Sequence, residues 1–243
     1  MRRAIPVLCC ISLALFISGC GASARVEKAA PRKPELVLNV ASLNLSSYNK
    51  RIERSELVRL AALLKKEEVD ILGVQGLTRY PGVATRTDFV DVLATLTSMR
   101  SAFGASSDLS GRQQGHAIFS VYPVRTHENI PFDNVGDELE SALLLVVDAG
   151  VRDIQVANMR LPRNSTAANE EQCLQAVMKR SAGELPLLLL IGNPRGLSGQ
   201  SEKKSGDSGV RVHGGEALEV LSVRPAQSNF GSMTITKVGI FRQ

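Results

Sequence analysis

The amino-acid sequence predicts an α/β sandwich in which two mixed β-sheets pack together and are flanked by helices. Strand-like apolar runs outnumber helical patterns along the 243 residues, and the last runs follow one another without a helix between them. No repeat of fixed period is present, and the length suits one domain with a well-buried core. A doubly wound parallel sheet needs a helix between successive strands, so the order of the elements favours two mixed sheets.

The elements are predicted from short apolar runs and from apolar residues at helical spacing. In the first helical pattern Ile52, Leu57 and Leu60 recur at that spacing, with basic residues between them. The run that begins at Leu185 is too apolar to face water and stops abruptly at Gly192, which indicates a buried strand. Strands are predicted at Leu36–Leu45, Val69–Gln75, Gly115–Val121, Ser141–Val147, Ile154–Leu161, Leu185–Ile191, Ala217–Val223 and Ser232–Phe241, and helices at Ile52–Lys66, Asp88–Met99 and Ala167–Arg180.

Residues 1–20 predict a secretory signal that ends in a lipid-attachment cysteine. Arg2 and Arg3 give a positive start, and Ala4–Ile17 is apolar but too short to span a bilayer comfortably. The last residues, Ile17–Cys20, resemble the lipobox of bacterial lipoproteins, in which the cysteine is acylated and becomes the new N-terminus. A transmembrane anchor and an ordinary signal peptide are the alternatives.

Residues 21–35 predict a flexible tether, because they are small, charged and Pro-containing with no apolar period. The folded domain is expected at residues 36–243. The residue after the cysteine is Gly21 and not an Asp. In a host with two membranes, the protein is therefore expected at the periplasmic face of the outer membrane. We therefore expect a cell-envelope protein whose lipid binds the membrane.

The net charge gives no indication of nucleic-acid binding, and the cysteine content gives none of a disulfide-bonded domain or a cysteine nucleophile. The formal net charge of +5 is too small to indicate nucleic-acid binding by itself. Cys9 and Cys10 would leave with the signal and Cys20 would carry lipid. Cys173 is then the one cysteine left in the sequence, so no internal disulfide is expected in the domain. No His lies near Cys173 in sequence, so a buried helical position is expected for it and a nucleophilic role is not.

Polar residues mark the ends of the predicted strands. In chain order these segments read SLNL at Asn44, DILGVQGL at Gln75, GHAIFSVYPV after Gly115, VANMRL around Asn158, LLLLIGNPRG at Asn193, and GSMTITKVGIF at the C-terminus. In this order and at these spacings they resemble the endonuclease/exonuclease/phosphatase superfamily, which has the fold of pancreatic deoxyribonuclease, abasic-site endonucleases, sphingomyelinases and inositol phosphatases. The resemblance covers about Leu36 to Phe241 and implies a deoxyribonuclease-like four-layer sandwich.

The resemblance also implies a magnesium-dependent phosphodiester site to which each strand end delivers one polar group. The Asn of the first strand is kept as Asn44, but the Gln-Glu pair that holds the metal reads Gln75-Gly76. The family's Asn-Thr-His-Leu segment has become Asn158-Met159-Arg160-Leu161, so an Arg stands in place of the His.

Two further family motifs have lost their acids and their base. The Gly-Asp-Phe-Asn motif reads Gly192-Asn193-Pro194-Arg195, and the final Gly-Ser-Asp-His reads Gly231-Ser232-Met233-Thr234. Mg²⁺ needs carboxylate oxygens, and the attacking water needs a base that titrates near neutral pH. We therefore expect no metal cofactor and interpret the domain as a pseudoenzyme.

A metal-free ligand site is expected where the surviving polar groups meet. Its residues would be Asn44, Gln75, Asn158, Arg160, Asn193 and Arg195. Guanidinium groups match phosphate, sulfate or carboxylate, so the ligand would be an anion or phosphate ester, and an envelope protein is the other partner considered. In the alternative, the two arginines lie on solvated loops or pair with nearby Asp and Glu.

The second function class is an active phosphoric ester hydrolase with a rebuilt site, that is, a metal-dependent phosphodiesterase, nuclease or phosphatase. Its cation could lie at the acidic cluster Asp133, Asp137, Glu138 and Glu140, or the arginines could stabilise a phosphoryl transition state. A solvated loop is the expected structure of that acidic cluster. No role is assigned to His116, His127 or His213, and Gly199–Gly215 is expected to be a mobile loop.

Overall fold

The computed structural model describes residues 32–46, 48, 50–83, 86–132, 139–161, 166–181, 183, 185–192, 208–213 and 215–242. The predicted signal peptide, Cys20 and nearly all of the predicted tether lie outside these residues. Residues Lys33–Gln243 form one compact unit. In the part of the chain that is described, no helix is both long and apolar enough to cross a bilayer.

The described residues form two mixed β-sheets and three α-helices. The elements in chain order are β1 (Leu36–Asn44), α1 (Arg54–Lys66), β2 (Ile71–Arg79), α2 (Phe89–Thr97), β3 (Arg100–Leu109), β4 (Arg112–Ser120), β5 (Val124–Pro131), β6 (Ser141–Asp148), β7 (Asp153–Arg160), α3 (Ala167–Arg180), β8 (Leu187–Gly192), β9 (Ser208–His213), β10 (Leu218–Ser228) and β11 (Gly231–Ile240).

The order of the strands confirms the predicted pair of mixed sheets. The first sheet runs β10-β11-β1-β2-β4-β3 and the second runs β5-β6-β7-β8-β9. In the first sheet β1 and β2 are parallel, whereas β1 and β11 are antiparallel. In the second sheet β7 and β8 are parallel, and each has an antiparallel neighbour on its other side.

Three apolar cores separate four layers, because alternate residues of each buried strand face opposite sides of its sheet. Leu38 and Val40 of β1 lie in the core between the two sheets, and Ala41 and Leu43 lie in the core beneath α1 and α2. The third core, which includes Cys173 of α3, covers the outer face of the second sheet. The predicted four-layer sandwich is therefore confirmed.

Three strands were not predicted, and one of them corrects an expectation. Strands β3, β5 and β9 all lie at the margins of their sheets. Residues 208–213 fall within the segment expected to be a mobile loop, yet they pair with β8 along its length. Val210 and Val212 supply the apolar anchor that the interpretation of this segment had overlooked, because both pack against the core between the sheets.

Candidate functional site

Buried polar side chains replace apolar ones at one end of the space between the two sheets. On β7, for example, Ile154 and Val156 face the inter-sheet core. The next residues on the same face of the strand are Asn158 and Arg160. We call this group of residues the polar layer. Its members are all buried: Ser42, Gln75, His116, Glu140, Asn158, Arg160 and Thr234.

The two amides of the polar layer bind each other across the sheets. The Nδ2 atom of Asn158 donates to the carbonyls of Val74 at 3.0 Å and Ala117 at 2.8 Å, which fixes the orientation of this amide. Its Oδ1 must then accept, and it does so from Gln75 Nε2 at 2.6 Å. Gln75 Nε2 also donates to Ser42 Oγ at 2.9 Å. Two of the four predicted ligand-binding amides, Gln75 and Asn158, thus have hydrogen-bond partners within the protein.

One atom of this network has no hydrogen-bond partner among the described residues. It is Gln75 Oε1, which is fully buried. The backbone of Gly192 approaches closely, since a Cβ atom added to Gly192 would lie 3.1 Å from Gln75 Cγ. A larger residue at position 192 would therefore require the Gln75 side chain to shift.

Arg160 forms a buried ion pair with Glu140. Arg160 is 7% exposed and Glu140 4%. The guanidinium Nε donates to Glu140 Oε1 at 2.7 Å, and Nη2 contacts the same oxygen. Glu140 was expected on a solvated loop, and that expectation is wrong, because an Arg on the inner face of a buried strand needs an anionic partner.

His116 completes this cluster on the other side of the carboxylate. Its Nε2 lies 3.5 Å from Glu140 Oε2, and its Nδ1 accepts a long hydrogen bond of 3.4 Å from the N–H of Gly76. Because Nδ1 accepts, Nε2 carries the hydrogen that faces the carboxylate, although the pair is too poorly aligned to form a hydrogen bond. Burial raises the pKa of Glu140, but the contact with His116 and the hydrogen bonds and charge of Arg160 outweigh burial, so the pKa lies below its ordinary value of 4.5.

Gly76 and Asn44, at two positions where the resemblance implies site residues, shape the backbone within β2 and at the end of β1. Gly76 has a φ of +66°, and a Cβ atom there would lie 3.0 Å from the backbone of Ser46. It lies in a bulge of β2 between Val74 and Leu77. Asn44 Oδ1 accepts from the N–H of Ser46 at 3.0 Å and so stabilises the turn that follows β1. The backbone therefore leaves little room for a side chain at position 76.

The positions of the family's last motif lie on the two faces of β11. Met233 pairs with Leu43 of β1 and is fully buried in the core beneath the helices. Thr234 pairs with Ser42 and joins the polar layer. Neither side chain can take a proton near neutral pH.

The described residues do not fit the magnesium ion that the fold family implies. They contain no group of three or more His, Cys, Asp or Glu side chains placed to hold a metal. The carboxylate of Glu140 already faces a guanidinium and an imidazole. Asn193, Arg195, Asp133, Asp137 and Glu138 lie outside the described residues, so what was expected of them stays a prediction.

A second feature, a pocket with basic walls, was missed by the sequence reasoning. It has a volume of about 410 Å³ and opens where β1 and β2 end. We call it the basic pocket because its walls carry Lys50, Arg51, Arg86 and Arg112, and none of its described lining residues is Asp or Glu. Its cations come from separate parts of the chain, so no local motif marked it.

Cys173 is buried on α3, as expected. Burial raises the pKa of its thiol to about 12, and the charges of Glu140 and Glu170 act in the same direction. A thiol that stays protonated is a poor nucleophile. It is therefore a core residue of α3.

Comparison with known proteins identifies the fold. No protein-family model and no curated protein matches the sequence. Solved structures do match. An endonuclease/exonuclease/phosphatase from Beutenbergia cavernae superposes with a TM-score of 0.64 at 16% identity, over 86% of this chain and 72% of the other.

Two further solved structures agree. The endonuclease/exonuclease/phosphatase from Bacteroides vulgatus gives a TM-score of 0.63 at 10% identity, over 85% of this chain and all of the other (100%). The human Nocturnin catalytic domain with bound sulfate gives 0.58 at 14% identity, over 86% of this chain and 94% of the other. These matches confirm the resemblance that the strand ends indicated: the chain has the fold of the endonuclease/exonuclease/phosphatase superfamily.

Proposed function

We propose that this chain is a lipid-anchored envelope protein whose domain keeps the endonuclease/exonuclease/phosphatase fold without its hydrolytic chemistry and serves as a binding module. One observation carries the proposal. Where the family is expected to hold a metal and a base, the described residues form a buried network in which amides bind amides and Arg160 binds Glu140.

The chemistry of this network is unsuited to phosphodiester hydrolysis. A metal-activated water needs free carboxylate oxygens, and those of Glu140 face Arg160 and His116. His116 is the one histidine of the polar layer, and it is 1% exposed, so a substrate has no direct access to its ring in the described structure. The network instead connects the two sheets and stabilises the fold.

The proposed place of action follows from the N-terminal sequence. Arg2 and Arg3, the apolar stretch and Cys20 have the order of a lipoprotein signal. Mass spectrometry of the protein purified from bacterial membranes should find an acylated Cys20 at the N-terminus. Cys20→Ser should abolish acylation, and an unmodified N-terminus in the unaltered protein would contradict the anchoring.

Hydrolysis assays test the loss of catalysis. The full chain, purified in non-ionic detergent, is incubated with bis(p-nitrophenyl) phosphate and with single-stranded DNA in Mg²⁺, Mn²⁺ or chelator. We expect no metal-dependent turnover. Metal-dependent turnover that Asn44→Ala removes would show instead that the chain is an active phosphoric ester hydrolase with a rebuilt site.

A further inference from the structure

We propose that the basic pocket binds the phosphate group of a small phosphate ester. The ligand would enter beside the polar layer, since Gly76 and Ser46 form part of the pocket wall. Its anionic group would meet side chains from the segment after β1, the segment before α2, and β4. The members of the polar layer are buried, so the polar layer itself is not required as the binding surface.

Positive charge in the pocket is not cancelled by the acids nearby. Glu53 lies 3.5 Å from Arg51, but both side chains are well exposed, so this pair is weak and exchanges readily for a better anion. Glu56 is engaged from two sides, because Oε1 accepts from the Tyr48 hydroxyl at 2.8 Å and Oε2 from the N–H of Glu53 at 2.9 Å. The pocket therefore has a net attraction for anions.

Asp88, which lies between the lining residues Thr87 and Phe89 in the sequence, is also engaged. Its Oδ2 accepts from Arg79 Nε at 2.9 Å, and its Oδ1 accepts from the N–H of Val90 at 2.9 Å. It caps α2 and neutralises Arg79, and neither residue lines the pocket. Asp88 therefore does not compete with an anionic ligand for the cations of the pocket.

Two aromatic residues hold the pocket in shape before a ligand arrives. The guanidinium of Arg86 lies 3.9 Å from the centre of the Tyr80 ring, which orients its donors at little entropic cost. Tyr48 is held by its bond to Glu56 and by edge contact with Phe230, with ring centres 5.0 Å apart. Burial raises the pKa of Tyr48 to about 12, and Glu56 adds to this, so the Tyr48 hydroxyl stays neutral.

The volume of the basic pocket indicates the size of its ligand. A volume of about 410 Å³ exceeds what a lone phosphate fills and suits a phosphate attached to a group the size of a sugar. Neutral hydrogen-bonding groups for that second part are supplied by Thr78, Thr87 and Gln114. A soluble hexose phosphate and the head group of a phospholipid share this chemistry.

Phosphate binding in the basic pocket rests on the proposed binding role, but it is tested separately from the proposed loss of catalysis. Binding is measured by calorimetry on the full chain in non-ionic detergent, with hexose 6-phosphate and inorganic phosphate as probes and hexose as the uncharged control. We expect heat of binding from both anions and none from hexose. Turnover is followed in the same sample, so that an active enzyme is recognised independently of binding.

Paired double variants locate the site. R86Q/R112Q removes two charges from the pocket, and K66Q/K237Q removes two from exposed positions outside it. All four residues are exposed, so both variants should melt close to the unaltered chain, which a thermal scan checks. We expect hexose phosphate affinity to fall at least about tenfold in the first variant and less than about twofold in the second.

Competition separates the two sources of the phosphate group. Phosphatidylinositol 4-phosphate in mixed micelles that displaces hexose phosphate, where diacylglycerol does not, would assign a lipid head group. Failure of phosphatidylinositol 4-phosphate to compete would assign a soluble ester. Absence of anion binding to the unaltered chain, or an equal loss in both double variants, would overturn the proposal.

Discussion

Glu140 is the residue on which the polar layer depends, because it is the buried carboxylate that neutralises Arg160. Replacing it by Gln would leave a buried guanidinium without an anion. We expect Glu140→Gln to lower the free energy of unfolding by roughly 3–5 kcal/mol, measured by urea denaturation. The matched control is Glu128→Gln, which breaks the exposed pair between Glu128 and Arg180 and should change stability by less than about 1 kcal/mol.

A second substitution separates lost charge pairing from lost packing. Glu140→Gln combined with Arg160→Met removes both charges and keeps similar volumes. This double variant should regain most of the stability lost in the single variant, because no unpaired buried charge remains. Equal stability of the single and double variants would contradict the ion pair as the cause.

The same carboxylate makes stability depend on pH in the acid range. Its folded-state pKa lies below 4.5, so between that pKa and 4.5 the unfolded chain binds the proton and the folded chain does not. The contribution is fully present above pH 4.5 and is lost as pH falls through the folded-state value. Stability measured against pH should fall more steeply below pH 4.5 in the unaltered chain than in Glu140→Gln, and parallel curves would contradict this assignment.

Gly76 shows how the backbone has closed the position where the resemblance implies a metal-binding Glu. A positive φ alone costs a non-glycine residue about 1 kcal/mol, and Gly76→Ala should lower the free energy of unfolding by more than that. The added Cβ also meets Ser46 at 3.0 Å. Gly82→Ala is the control, because Gly82 has a φ of +78° but open space around it. Equal losses in thermal or urea unfolding would contradict the contact.

At the scale of elements, Asp88 fixes the start of α2 and thereby one wall of the basic pocket. Asp88→Ala removes the cap and the pair with Arg79 and should lower stability by about 1–2 kcal/mol. Asp88→Asn keeps a capping oxygen and should lose less than half of that. Urea denaturation distinguishes the two contributions, and an equal loss in both variants would make the ion pair the dominant one.

The elements also show what an apolar pattern can and cannot reveal. Helix α3 was predicted with the bounds the structure gives, Ala167–Arg180, and the apolar Cys173 and Val177 on its buried face lie at helical spacing. The unpredicted strands β3, β5 and β9 lie at sheet margins. Strand β5, for example, buries only Ile130, so its sequence lacks the apolar run of a central strand.

At the scale of the whole molecule, motif order predicted the fold but not the partners within the site. The family resemblance indicated that the ends of β1, β2, β7 and β8 would converge, and the amides of Gln75 and Asn158 do meet. The ion pair joins Arg160 to Glu140, a residue outside the quoted motifs. One signal was available: an Arg in phase with the buried residues of a strand requires an acid, and Glu140 directly precedes the neighbouring strand β6.

The basic pocket could not be predicted from spacing, since its four cations meet only after the sheet and helices have packed. Lys50 and Arg51 precede α1, Arg86 precedes α2, and Arg112 begins β4. Each looks like an ordinary surface cation in the sequence. A net charge of +5 gives no sign of where positive groups converge.

The most direct test of a fold that has lost its metal site is thermal unfolding of the full chain against Mg²⁺ and Mn²⁺ concentration, with chelator as reference. An ion that binds only the native state stabilises it by RT ln(1 + [ion]/Kd), so the melting temperature rises with the logarithm of ion concentration above the dissociation constant. We predict that the melting temperature with either ion equals that in chelator. A rise with the concentration of either ion that Asn44→Ala removes would contradict the account and place a metal at the end of β1, beside the polar layer.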